Sequence, residues 1–201
     1  MIFLRYESFR QYLRLYPVTA LLIAANIVLF GVELATGALR DDEALLRLGM
    51  LTNVAGYDQL WRYVAALFLH GSWEHIVFNL FALFVFAPPL ERIFGHARYA
   101  VFYLVSGVLG NAAAVFLATG QWYGVGASSA IYGLYGAYLY MTVFQRRLLD
   151  ASSRTTVVGI LAVGLITSFL IPHIAYWAHI GGLVAGFILY GPMGSRNLAR
   201  R

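Results

Sequence analysis

Six apolar runs decide what this 201-residue chain can become. They cover residues 17–34, 73–89, 99–118, 128–144, 155–170 and 174–190. Each is close to the roughly 20 residues that a helix needs to cross the hydrocarbon core of a bilayer. In lipid every main-chain polar group needs a partner within the protein, which leaves helices for runs of this length. Composition agrees: the chain is 61% hydrophobic and 11% charged, where soluble domains are about 45–50% and about 25%. The expected fold class is an all-α membrane protein, a bundle of six transmembrane helices.

The segments between the runs complete the plan. Residues 1–16 carry Arg5, Arg10 and Arg14 among Phe, Tyr and Leu, the pattern of an interfacial segment rather than of a signal peptide. Residues 36–60 are more polar and long enough for short interfacial helices, and Pro88-Pro89 is expected to close the second span. No linker interrupts the chain, so 1–201 reads as one domain: the N-terminal segment 1–16, a six-helix core 17–190 and a basic tail 191–201. All fourteen basic residues are arginine. Eleven of them fall on one side of the spans; only Arg40, Arg47 and Arg62 fall on the other. By the positive-inside rule both termini face the cytoplasm, and the start of the fourth span faces outward. The net charge of +5 thus serves topology, and no nucleic-acid partner is implied. The chain has no cysteine, which removes disulfides, thiolate metal sites and a cysteine nucleophile.

Polar residues inside spans are costly and usually have a task. The second span carries His75 and Asn79, four apart and so on one helical face; the fourth carries Ser128 and Tyr132 at the same spacing. Ser128 follows the flexible pair Gly126-Ala127 at the head of its span. There the free amides and the dipole of a helix N-terminus would favour an oxyanion, or would simply be capped by the serine. In the sixth span His179 is followed by Gly182 and Gly186, which bare the face below it for close packing, and Ser129, Gly133 and Gly136 offer small residues on the fourth span. Packed together, the two helices bring an imidazole to a hydroxyl, a nucleophile and its base, with Tyr132 to stack on the ring. Asn79 and His75 would add donors for the oxyanion. Each residue also has a plain reading as an interhelical hydrogen bond. His70 reads as a solvated loop histidine at a span mouth, His96 and His173 as interface residues, and Arg62 after Trp61 as an interfacial anchor. Glu74 beside His75 lacks the His-Glu-x-x-His pattern of a metalloprotease.

Together, Trp61-Arg62, His70-Gly-Ser-Trp-Glu-His75-x-x-x-Asn79, Glu91-x-x-x-Gly95, Gly126-Ala-Ser128-Ser and Ala178-His179-x-x-Gly182-x-x-x-Gly186 resemble the rhomboid intramembrane serine proteases. The resemblance runs from Trp61 to Gly186 and implies the basic six-helix bacterial form, with a first loop partly embedded in one leaflet. It implies Ser128 as nucleophile, His179 as base, and His75 and Asn79 at the oxyanion, with Tyr132 and Gly126 in support. Cofactor and metal would be absent. The substrates would be single-span membrane proteins entering from the bilayer near the second and fifth spans, and the enzyme would sit in a bacterial cell membrane with its site open to the outside. Three positions depart from the pattern: Ser129 replaces the usual glycine after the serine, Ala65 a common threonine and Ala87 a common glycine. A rhomboid-like protein that binds clients without cleaving them, or a small transporter lined by these polar groups, are the alternatives. Whether the protein self-associates is not encoded in any motif.

Overall fold

The computed structural model describes residues 2–171 and 175–198. Its helices are α1 (Phe9–Leu15), α2 (Pro17–Thr36), α3 (Asp42–Leu48), α4 (Arg62–Ala65), α5 (Trp73–Phe94), α6 (His96–Leu117), α7 (Ser128–Phe144), α8 (Ala151–Leu170) and α9 (Tyr176–Leu198). Two-residue strands β1 (Leu51–Thr52) and β2 (Tyr123–Gly124) pair antiparallel, Leu51 opposite Gly124. Four helices, α2, α5, α6 and α8, are long and apolar enough to cross a membrane among the described residues. His173 lies outside those residues.

Helix α7 is the axle of the bundle. It is buried continuously from Ser129 to Tyr138, as expected of a helix that is apolar all round, and α6 and α9 enclose it. Small residues set this packing. A Cβ on Gly182 would strike the Ser129 carbonyl, one on Gly186 the Gly133 carbonyl, and one on Gly136 the Leu183 carbonyl. Main chain therefore rests on main chain between α7 and α9, the arrangement that small residues permit between helices in lipid. On α6, Gly110 faces Ala178, Gly182 and the Ser129 Cβ. The Ser129 side chain thus lies against α6 and leaves the α7–α9 contact intact.

The prolines do not close the second span. Helix α5 continues through Pro88 and Pro89 to Phe94. Pro88 lacks the N–H that the Phe84 carbonyl would accept four residues back, and the Tyr12 hydroxyl supplies a donor there at 3.4 Å. The extra turn carries Glu91 into the bundle, fully buried. Its carboxylate accepts the amides of Val18 (3.0 Å) and Thr19 (2.8 Å) and the Thr19 hydroxyl (2.6 Å), so it caps the otherwise unsatisfied first turn of α2. His96, which the sequence marks as an interface residue, sits 2.7 Å from the same carboxylate.

The N-terminal segment is tied into one end of the bundle. Phe3 is buried against Phe86 and Tyr138, and the Ile2 amide donates to Ser153 Oγ at 3.0 Å. At the far end of the chain, α9 runs through Pro192 to Leu198, so most of the basic tail prolongs the last helix.

Candidate active site

The segment leading to Ser128 is held by the first loop. Beside the β1–β2 pair, the Thr52 hydroxyl donates to the Trp122 carbonyl (2.6 Å) and the Asn53 side chain bonds both Gly120 O (2.8 Å) and the Trp122 amide (2.8 Å). The Gly126 amide donates to Ala66 O at 2.7 Å. The loop is itself anchored by Arg62. This guanidinium is buried, donates to the Leu46 (2.6 Å) and Met50 (3.1 Å) carbonyls, and stacks on Trp61 and Tyr57. Its charge lies at the C-terminal end of α3, where the helix dipole favours a cation. Arg62 is thus a loop staple rather than a membrane-surface anchor.

Ser128 is the first residue of α7, and Ala127 occupies the cap position with no side-chain hydrogen bond to the helix. The serine therefore does not act as the N-cap, and the first-turn amides keep their attraction for negative charge. Ser128 Oγ lies 3.0 Å from His179 Nε2. The His179 ring is buried and stacks on Tyr132, 4.1 Å between centroids and 7° from parallel. Its other nitrogen, Nδ1, is 2.7 Å from Ser168 Oγ on α8. The sequence does not single out Ser168: nothing in its neighbouring residues distinguishes it from a serine bonded only to its own helix.

Gly126 joins the second pair of residues to the first. Its φ of +126° is a backbone conformation that favours glycine, and a Cβ there would meet His75 Cε1 at 2.5 Å and Nε2 at 2.6 Å, with Ser128 Oγ at 3.6 Å. The His75 imidazole and the Ser128 hydroxyl thus flank the space this glycine leaves open. Asn79, one turn further along the same face of α5, is buried with its amide nitrogen free of a protein partner.

His70 departs from the sequence expectation. It is wholly buried, its amide donates to Glu33 Oε1 at 2.7 Å, and its ring meets that of His75 edge to face at 5.0 Å. Burial, and then the neighbouring His75, push the His70 imidazole down to about 3. Among the described residues no group of three or more His, Asp and Glu is arranged to hold a metal ion. The site offers a hydroxyl, an imidazole at hydrogen-bond distance, and donors around the space beside them. That set fits acyl transfer.

Comparison with known proteins covers nearly the same stretch as the sequence motifs. Residues 57–196 match the family model described as Rhomboid domain. The chain belongs to the rhomboid family. It is 34% identical over 192 residues to the rhomboid YdcA of Bacillus subtilis (strain 168), covering 94% of both chains. With the rhomboid protease GluP of the same organism it shares 30% identity over 177 residues, 88% of this chain and 34% of GluP. With RHOMBOID-like protein 6, mitochondrial, of Arabidopsis thaliana it shares 36% over 158 residues, 74% of this chain and 49% of that protein. The chain thus spans nearly the whole of one relative and half or less of the other two. Like other rhomboids it is an integral membrane protein, and its apolar helices fit that placement.

Proposed function

We propose that this intramembrane serine protease works through a Ser128–His179 dyad. His179 Nε2 takes the Ser128 proton as Oγ attacks the scissile carbonyl; the C–O bond forms, and the tetrahedral oxyanion is held by the Ser128 amide, His75 and Asn79. Collapse expels the amine, which receives the proton from His179, and leaves an acyl-enzyme. Water, deprotonated by the same nitrogen, then releases the acid and restores Ser128. Tyr132 keeps the imidazole in plane, and Gly126 leaves room for the reacting carbonyl. The observation that carries this reading is the 3.0 Å approach of Ser128 Oγ to His179 Nε2 on two helices locked by main-chain contact.

The remaining parts of the reading follow from the bundle. The six apolar runs, carried by α2, α5, α6, α7, α8 and α9, form one membrane domain across residues 1–201, with the first loop partly embedded in one leaflet. The arginine bias supports cytoplasmic termini and a site opening to the exterior of a bacterial cell membrane. Single-span membrane proteins are the substrates, entering laterally. A fluorophosphonate probe tests the chemistry directly. The folded protein in detergent should be labelled, and Ser128→Ala and His179→Ala should not be. An unlabelled wild type would sink the enzyme assignment for Ser128, and labelling that survives Ser128→Ala would move the nucleophile elsewhere.

A further inference from the structure

A Ser–His pair with no carboxylate leaves open what decides which imidazole nitrogen carries the proton. The base must present a bare Nε2 to Ser128, so its hydrogen must reside on Nδ1. Stacking on Tyr132 fixes the plane of the ring but is indifferent to the tautomer. Ser168 is not. Its Oγ is 2.6 Å from the Gly164 carbonyl one turn back on α8 and 2.7 Å from His179 Nδ1. A hydroxyl has one hydrogen to give and lone pairs to receive. The carbonyl has no hydrogen, so Ser168 donates to Gly164 O, the back-bond a serine commonly makes inside a helix. Towards His179 the same oxygen then acts as acceptor, and Nδ1 supplies the hydrogen.

We propose that Ser168 is a positioning residue that holds His179 in the Nδ1–H tautomer, so that the dyad is supported by a third hydrogen-bonded member, Ser168. The inference rests on the proposed role of His179. No proton leaves Ser168 in the reaction: when Nε2 takes the Ser128 proton, Nδ1–H stays where it is and its bond to Ser168 Oγ shortens against the new positive charge. The surroundings are built for this oxygen. Ser168 is buried, and the Tyr132 hydroxyl lies 3.4 Å from its Oγ. Gly164 leaves room for that hydroxyl, since a Cβ there would sit 2.5 Å from it. Three helices thus meet at one ring: α9 supplies it, α7 stacks on it, and α8 sets its tautomer.

The test uses full-length protein. Ser168→Ala should lower kcat about ten-fold with KM unchanged, the scale of one hydrogen bond lost at a developing charge, and slow fluorophosphonate labelling in proportion. Ser168→Thr, which keeps the hydroxyl, should recover most of the rate. The 15N spectrum of His179, assigned by comparison with His179→Gln, should show Nδ1 protonated in wild type and a tautomer mixture in Ser168→Ala. Wild-type His179 protonated on Nε2, or Ser168→Ala cleaving at the wild-type kcat, would overturn the proposal. So would a loss confined to KM. If wild type fails to label at all, the assignment of Ser128 falls instead, and the 15N spectrum still reports on Ser168.

Discussion

At the scale of single residues, Gly126 is the most constrained position of the site. Its φ of +126° and its contact with the His75 ring exclude a side chain independently. Gly126→Ala should cost about 1–2 kcal/mol in stability for the backbone alone. Displacing the loop should slow fluorophosphonate labelling about 100-fold, since small misplacements of reacting groups have effects of that size. His70 gives a pH prediction. Its folded imidazole protonates only near 3, against an ordinary 6.5. The unfolded chain therefore binds this proton first, and stability falls as pH drops from about 6.5 towards 3. In His70→Phe, unfolding measured across that window should lose part of its pH dependence; an unchanged slope would remove His70 from the acid response. Ser128, His179, His75, Asn79, Tyr132 and Gly126 could all be picked out from the sequence because polar residues and glycines stand out against apolar spans. Ser168 and the burial of His70 could not. Both depend on a partner from another helix that the folded chain brings near, the His179 ring on α9 in one case and Glu33 on α2 in the other.

At the scale of helices, spacing patterns carried much of the information. Gly182-x-x-x-Gly186 announced a bare face, and the structure rests that face on the carbonyls of Ser129 and Gly133. Gly186→Ala should force α7 and α9 apart at a cost of about 1–3 kcal/mol, read as a lower unfolding midpoint together with slower labelling; an unchanged labelling rate would mean the dyad tolerates the separation. The expected end of the second span was misplaced because a proline pair predicts lost amide donors, and the sequence does not show that Tyr12 would serve the freed Phe84 carbonyl. The turn so gained delivers Glu91 to the head of α2. Glu91→Gln should cost about 1 kcal/mol through the weaker cap, with labelling of the surviving folded protein unaltered. The two-residue strands β1 and β2 were invisible for a simpler reason: two residues carry no period.

At the scale of the whole molecule, the absence of cysteine makes topology directly measurable. Single cysteines placed in α3 should react with an impermeant maleimide from outside intact cells, and ones placed between Arg146 and Arg154 only after the membrane is opened. The opposite pattern would reverse the orientation read from arginine. The broad architecture was open to sequence reading because lipid as a solvent leaves so few options, whereas the first loop's hold on the Ser128 segment rests on Arg62, Asn53 and Thr52, residues whose partners only the folded chain selects. The backbone seat of α9 on α7 has one more consequence. With no rotatable bond at the point of contact, the gap between the reacting atoms has a hard stop. Bilayers that differ in thickness or fluidity should therefore change how fast clients arrive far more than how well the two groups are aligned when they do.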